Sequence, residues 1–184
     1  YDDAGSLLSS GGIDGDVDFA GNNGQLTIQD GTLTGNIKSA GSGVVNMTNG
    51  AINGNIGDDT DHKTTSVNFT DNNFVTGDIY TNLITITSGA KATFSGNHAR
   101  DKVIKPTLVG TTVIPRVIVS FTYTALIDPP IGINNADASS AINTISPVII
   151  DGNITNGQAI FDDNVLMQGS ITNANRISFA ANKY

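Results

Sequence analysis

Short alternations of apolar and polar residues recur along the chain, and turns rich in glycine, asparagine and aspartate separate them. The clearest unit reads apolar, polar, Gly, Asn/Asp/Ser, apolar, as in Ile52-Asn53-Gly54-Asn55-Ile56. It recurs at 13–17, 33–37, 75–79, 150–154 and 167–171, with glycines 20, 19, 23, 75 and 17 residues apart. A period near 20 residues is typical of one coil of a solenoid, which buries its apolar face only by stacking on its neighbours.

A second apolar–polar–apolar alternation follows each of these glycine phrases. The segments stand at residues 26–28, 45–47, 67–69, 92–94, 159–161 and 177–179, and most of them read apolar, polar, apolar. This is the period of a half-buried strand, and the Asn, Asp and Gly clusters that follow are typical strand terminators. An antiparallel sandwich with glycine-rich turns is one interpretation. Because the same apolar position recurs at the same phase, we expect an all-β, right-handed parallel β-helix with about 20 residues per coil.

The chain is predicted to form one β-solenoid domain over 1–184. Residues 1–12 are expected to be an irregular lead-in, and regular coils are expected over 13–97 and 148–184. A polar insertion at 57–65 predicts a protruding loop, and 83–87 adds an extra strand signal. Residues 98–147 break the pattern and hold all five prolines and four of the nine basic residues. They are expected to form an irregular excursion or hairpin together with one or two rungs of the coil.

The composition excludes several classes of protein. All 17 acidic residues are Asp, and Gly, Asn and Thr number 21 each, so little helix is expected. A net charge of −8 with nine Lys and Arg argues against nucleic-acid partners. No cysteine is present for disulfide or thiolate chemistry, and no run of about 18 apolar residues predicts a transmembrane helix. A start at Tyr1 suggests a processed product or an excised piece.

Residues with catalytic or metal-binding chemistry are sparse. His62 and His98 are the two histidines, and neither stands in a catalytic motif, so no catalytic residue is assigned. Asp14, Asp16 and Asp18 alternate with apolar residues, which would place three carboxylates on one outward face. They are weak candidates for a calcium site, and a solvated acidic face is the preferred interpretation. No cofactor is expected. The acidic loop around 58–61 lacks the spacing of a calcium-binding EF-hand.

Asparagine recurs at one phase of the repeat, which predicts a stacked ladder. Asn36, Asn55 and Asn153 share this phase, with Asp16 and Asp78 as substitutes. Stacked amide side chains can hydrogen-bond along the coil, which is a stabilising role.

Several phrases resemble the passenger region of bacterial autotransporters. They are 35–37, 93–97, 152–155 and 177–182, and their style is most similar to rickettsial surface antigens of the outer-membrane-protein-B type. The resemblance covers 13–97 and 148–184 and leaves out 98–147. It implies a β-helix that is exported and displayed outside the bacterial cell. No catalytic residue of an enzyme-bearing passenger carries over.

The expected function is therefore that of a non-enzymatic cell-surface module, adhesin-like or surface-layer-like. A carbohydrate-active β-helix lyase or hydrolase is one alternative, and it would need a groove of Asp with Arg or Lys and exposed aromatic residues. A self-stacking subunit of an extracellular filament is another. Expected partners are a protein or glycan on a host or neighbouring cell, or sister molecules. Binding is predicted in the 98–147 excursion, through Arg100, Lys102, Lys105, Arg116, Phe121 and Tyr123.

Overall fold

The computed structural model describes the backbone over 6–39, 41–96, 100–104, 108–109, 112–113, 117–121 and 125–182, and the side chains over 6–39, 41–96 and 125–182. The first five coils contain β1 (Ser6–Ser9), β2 (Gly12–Asp14), β3 (Val17–Asp18), β4 (Gln25–Gln29), β5 (Thr32–Thr34), β6 (Ile37–Lys38), β7 (Val44–Thr48), β8 (Ala51–Asn53), β9 (Ser66–Thr70), β10 (Asn72–Thr76), β11 (Ile79–Tyr80), β12 (Leu83–Ile86) and β13 (Lys91–Ser95). An inserted segment contains β14 (Arg100–Ile104), β15 (Leu108–Val109), β16 (Thr112–Val113) and β17 (Val117–Phe121). The coil then continues through β18 (Ala125–Asp128), β19 (Gly132–Asn135), β20 (Ala141–Thr144), β21 (Val148–Ile150), β22 (Ile154–Thr155), β23 (Gln158–Phe161), β24 (Val165–Met167), β25 (Ile171–Thr172) and β26 (Arg176–Phe179).

All of these strands except β14–β17 stack into three parallel sheets that run the length of the coil. The first sheet has the order β1-β4-β7-β9-β12-β19-β22-β25, and the second has the order β2-β5-β8-β10-β13-β20-β23-β26. The third sheet pairs β3 with β6, continues through bridges from Ile56 to Ile37 and Ile79, and ends with β11-β18-β21-β24. The predicted all-β parallel solenoid is confirmed, with about eight turns of about 19 residues. Its right-handed sense stays a prediction from the usual hand of parallel crossovers.

The core is a set of apolar columns, one residue from each coil above the next. In the third sheet Ile37, Ile56, Ile79, Ile127 and Ile150 lie in register, and all five are fully buried. Phe69 of the first sheet and Phe94 of the second meet edge to face, with ring centroids 5.7 Å apart. A strand of three to five residues cannot enclose a core, so each coil depends on the coils above and below it.

The recurring glycine phrase forms the corner between the second and third sheets in the first four coils. Here each Asn or Asp side-chain oxygen accepts a hydrogen bond from the backbone N–H of the next coil. The backbone N–H of Asn36 donates to Asp16 Oδ1 at 2.8 Å, and the N–H of Asn55 donates to Asn36 Oδ1 at 2.9 Å. The N–H of Asp78 donates to Asn55 Oδ1 at 2.9 Å, and the N–H of Leu126 donates to Asp78 Oδ1 at 2.9 Å. The predicted ladder is therefore present for these four side chains, and it ends at Leu126.

Asn153 was expected on the same ladder, and that assignment is wrong. Gly152 and Asn153 lie between β21 and β22, at the corner between the third and first sheets. There the Asn153 Oδ1 atom accepts from the backbone N–H of Ser170 at 2.9 Å, which makes a separate short ladder. The strand at 83–86, expected as an extra one, is the regular first-sheet strand β12, and it pairs with β9 and β19. One local phrase thus serves two different corners of the coil.

The described strands between Gly96 and Ala125 lie outside the three sheets. Strand β14 pairs with β17 in antiparallel fashion, and β15 pairs with β16 in the same way. Strands β18, β19 and β20 then make one turn of the coil before residue 147.

Strand β1 lies inside the expected lead-in and pairs with β4, which differs from the irregular structure predicted there. The described residues include no helix long and apolar enough to cross a membrane.

Candidate functional site

The loop at 57–65 is tied to the coil by a largely buried ion pair. Lys63 Nζ lies 2.6 Å from Asp128 Oδ2 and also donates to the Asp128 carbonyl oxygen at 3.4 Å. The two side chains are only 13% and 8% exposed. Asp128 belongs to β18, two coils beyond the loop, so this contact joins residues that are 65 positions apart in sequence. The loop is therefore positioned by the scaffold.

A cleft of about 480 Å³ lies beside this loop. Its lining residues are Asp18, Ala20, Lys38, Ser39, Asp58 and His62. The backbone N–H of Ser39 donates to Asp58 Oδ2 at 2.8 Å, and the N–H of Ala20 donates to Asp18 Oδ1 at 2.7 Å. These bonds orient both carboxylates, whose oxygen atoms are hydrogen-bond acceptors.

The charges around this cleft are partly paired. Lys38 Nζ lies 2.8 Å from Asp16 Oδ2, and this hydrogen bond lowers the pKa of Asp16 and raises the pKa of Lys38. His62 Nδ1 lies 2.9 Å from Asp59 Oδ1. The backbone N–H of Asp61, followed by the His62 side chain, lowers the pKa of Asp59. The cleft therefore combines carboxylates, an ammonium group and an imidazole, which suits a polar ligand rich in hydroxyl groups.

Sequence reasoning did not assemble this cleft, although a signal for it exists. Asp18, Lys38 and Asp58 stand 20 residues apart, close to the length of one coil. Asp18 and Lys38 are in register on β3 and β6. Charged residues that recur with the period of a solenoid line up on one face.

The three candidate calcium ligands do not share one face. Asp14 lies on β2 of the second sheet and Asp18 on β3 of the third, because Gly15, with φ of 129°, turns the chain between them. Asp16 lies at this corner and pairs with Lys38. Among the residues with described side chains, no three His, Asp, Glu or Cys residues form a group that could hold a metal ion.

A second cleft, of about 600 Å³, lies where three polar turns stack. Its lining residues are Ala136, Asp137, Ala138, Asn156, Gly157, Asn173, Ala174 and Asn175. Asp137 accepts hydrogen bonds from the hydroxyl groups of Ser139 and Ser88, which lower its pKa to about 2. No titratable group other than Asp137 lines it, so this cleft offers hydrogen bonding rather than acid–base chemistry.

The predicted binding residues fall on the inserted segment. Arg100 and Lys102 belong to β14 and Phe121 to β17, and the pairing of Arg100 with Phe121 places all three at register positions on one face of a two-stranded ribbon. Lys105, Arg116 and Tyr123 lie outside the described residues. Residues 98–124 contain four Lys or Arg and one Asp, which give this segment a net charge of +3. Because the whole chain has a net charge of −8, the rest of the chain has a net charge of −11.

No protein-family model, curated protein or solved structure matches this chain.

Proposed function

We propose that this protein is a non-enzymatic binding module, adhesin-like or surface-layer-like, displayed at the surface of a bacterial cell. The observation that carries the proposal is an antiparallel ribbon of β14 and β17 inserted within one coil of a continuous parallel solenoid, between strands β13 and β18. Solenoids bind partners through insertions on a rigid stack of repeats, and loops held by a rigid scaffold commonly carry recognition.

Charge supports the choice of this ribbon as the binding element. Its segment carries +3, while the rest of the chain carries −11. A basic, partly apolar element on an acidic body favours an anionic partner and repels uniformly basic surfaces. Such a partner would be an acidic protein or glycan on another cell, or the acidic body of a sister molecule.

The test is adhesion of the purified, fluorescently labelled chain to cells and to immobilised anionic glycans. The double variant Arg100→Glu/Lys102→Glu should lose most of the binding, and wild-type binding should weaken as salt rises. The control is Lys91→Glu, which changes an exposed basic residue on strand β13 of the scaffold. Equal binding by the double variant and the control would contradict the role of the ribbon.

A carbohydrate-active enzyme is the second candidate, and the cleft beside the 57–65 loop favours it. Asp18, Lys38 and Asp58 together provide the carboxylates and the basic group that a polysaccharide lyase or hydrolase needs. The aromatic stacking surface expected for a sugar groove is missing from the lining residues of this cleft.

Activity is tested by incubating the chain with neutral and anionic polysaccharides. New reducing ends would report hydrolysis, and ultraviolet absorbance of unsaturated uronates would report elimination. Asp58→Asn should abolish any activity found, whereas Asp30→Asn, an exposed residue of a distant turn, should preserve it. Without turnover on any substrate, binding remains the favoured function.

A further inference from the structure

The chain contains one Asp–Pro peptide bond, between Asp128 and Pro129. It lies at the end of β18, at the corner where the coil turns from the third sheet to the first. The nitrogen of a proline peptide bond carries no hydrogen and belongs to a tertiary amide, so it is more basic than an ordinary amide nitrogen and leaves more readily. An aspartate before it can attack the carbonyl carbon of its own residue, because this attack closes a five-membered ring. The reactivity of this bond therefore depends on what surrounds Asp128.

A lysine from the 57–65 loop holds the Asp128 carboxylate. Lys63 Nζ lies 2.6 Å from Asp128 Oδ2, and both side chains are largely buried. The ion pair engages Oδ2, so Oδ1 is the candidate nucleophile. Because the side chain is already fixed beside its own backbone, ring closure loses little further conformational entropy.

Two N–H donors converge on the carbonyl oxygen of Asp128. Lys63 Nζ donates to this oxygen at 3.4 Å, and the backbone N–H of the fully buried Thr81 also donates to it at 3.4 Å. Attack on the carbonyl carbon places negative charge on this oxygen, and fixed donors stabilise such charge most strongly where water is excluded. Both hydrogen bonds are long in the ground state, and catalytic hydrogen bonds commonly shorten as the charge develops. The arrangement is that of an oxyanion hole.

The proline on the other side of the bond is also fixed. Pro129 is buried, and a Cβ atom at Gly152 would lie 2.4 Å from the Pro129 carbonyl oxygen and 3.1 Å from its Cγ atom. Gly152 stands at the same corner in the next coil, so Pro129 packs closely on the coil that follows it. The peptide bond is thus held from both sides, with its carbonyl group between two donors.

We propose that the chain cleaves itself between Asp128 and Pro129. The Oδ1 atom of Asp128 forms a bond to the carbonyl carbon of the same residue, and negative charge collects on the carbonyl oxygen. The bond from this carbon to the Pro129 nitrogen then breaks, and the nitrogen takes a proton from the Lys63 ammonium group.

Hydrolysis completes the reaction. The first step leaves a cyclic anhydride on Asp128, and one water molecule opens it to two carboxylates. Of the two protons released, one returns to Lys63 and the other protonates the new proline amine. The reaction consumes one water molecule and needs no other reactant. Because it is a single turnover of the chain on itself, it is independent of the proposed binding function.

The two products should remain associated after cleavage. Strands on either side of the cut pair with each other, namely β12 with β19, β13 with β20, and β18 with β21. The cleaved protein is therefore a non-covalent pair of residues 1–128 and 129–184. It should elute as one species in gel filtration and separate into two bands on a denaturing gel.

The test compares the purified full chain, folded at neutral pH, with the same chain unfolded in guanidinium chloride at the same pH and temperature. Mass spectrometry should find two fragments, one of which begins at Pro129, with masses that sum to the intact chain plus one water. Cleavage should be at least tenfold faster in the folded chain. Equal or slower cleavage in the folded chain, or no cleavage at all, would overturn the proposal.

Two substitutions test the chemistry while keeping the charges of the ion pair. Pro129→Ala should slow cleavage at least tenfold, because the leaving nitrogen becomes that of a secondary amide. Lys63→Arg should slow it by a similar factor, because a guanidinium group stays charged and does not readily give up a proton. Lys38→Arg, at the exposed ion pair with Asp16, is the matched control and should cleave at the wild-type rate. Circular dichroism verifies that each variant is folded, and wild-type rates for Pro129→Ala or Lys63→Arg would contradict the mechanism.

Discussion

Close backbone approach explains why a particular glycine is needed at the corner of a coil. A Cβ atom at Gly54 would lie 2.0 Å from the carbonyl oxygen of Gly35 in the coil before it. The requirement at Gly54 is space, whereas Gly35 and Gly77 also have left-handed φ values of 148° and 120°. The same sequence phrase therefore requires glycine for two physical reasons, which are close backbone approach and a positive φ.

We predict that Gly54→Ala lowers the free energy of unfolding by more than about 2 kcal/mol, because two stacked coils must separate to admit the methyl group. The matched control is Gly11→Ala, where a Cβ atom would meet nothing within 4 Å. It should change stability by less than about 0.5 kcal/mol. Chemical denaturation followed by circular dichroism measures both, and equal stability of the two variants would refute the steric explanation.

Polar residues interrupt the core in the sixth coil. Thr144 occupies the register position held by Phe94 and Phe161 in neighbouring coils, and it is fully buried. Its Oγ1 atom has no hydrogen-bond partner among the described residues. We predict that Thr144→Val raises the free energy of unfolding by about 1 kcal/mol, since the unpaired hydroxyl group carries a desolvation penalty in the folded state.

Thr81→Val is the control for that substitution, because its buried hydroxyl group donates to the Thr64 carbonyl oxygen at 3.3 Å. Removing a satisfied hydroxyl group should destabilise the fold by about 1 kcal/mol. Thermal unfolding of both variants tests this difference, because the melting temperature should rise for Thr144→Val and fall for Thr81→Val.

Asp137 links stability to acidic pH. Hydrogen bonds from Ser139 and Ser88 depress its pKa from 3.8 to about 2, so its ionised form is favoured in the folded state. This contribution is fully present above pH 4 and is lost as the pH falls through 2. We predict that the wild-type melting temperature falls more steeply between pH 4 and 2 than that of Asp137→Asn. Parallel slopes would contradict the assignment.

At the scale of elements, the repeat itself was predictable and its corners were not. Alternating apolar residues and the period near 20 indicate stacked parallel strands, because the same apolar position recurs at the same phase of each repeat. The phrase around Gly152 was assigned the phase of Gly54, since both read glycine followed by asparagine between apolar residues. Only strand pairing distinguishes the two corners.

Long-range pairing also lies beyond local patterns. Lys63 and Asp128 are 65 residues apart, and the sequence around either residue does not predict a contact with the other. The cleft lined by Asp18, Lys38 and Asp58 differs, because these three residues are spaced 20 residues apart, which is close to the length of one coil. The sequence therefore contained part of the candidate site, in the period of its charged residues.

The ion pair between Lys63 and Asp128 should hold the 57–65 loop in place. We predict that Lys63→Ala lowers the free energy of unfolding by about 3–5 kcal/mol, because the largely buried carboxylate of Asp128 loses its partner. Lys63→Met/Asp128→Leu should recover most of the loss, since it removes both charges together. Hydrogen exchange of the loop amides, with Lys38→Ala as a control for an exposed ion pair, measures the effect. Equal effects of Lys63→Ala and the double variant would contradict it.

Across the whole molecule, burial declines through the last two described coils. The side chains of β24 are partly exposed, and Phe179 of β26 is 50% exposed, whereas Phe94 of β13 is 1% exposed. We predict that Phe94→Ala destabilises the fold by about 3–5 kcal/mol and Phe179→Ala by much less. Hydrogen exchange should also show the β26 amides opening before those of β13. A similar cost for both substitutions would contradict this gradient.

The backbone hydrogen bonds between coils run along the long axis of the solenoid, and this direction determines how the molecule would respond to tension. A pull along the axis loads the bonds of one turn at a time, so turns would detach in succession. Each detached turn of about 19 residues would lengthen from about 5 Å to about 65 Å. A module stretched between two surfaces would therefore extend at low force until the detaching turns reach the Lys63–Asp128 ion pair, which ties the loop after the third coil to the fifth.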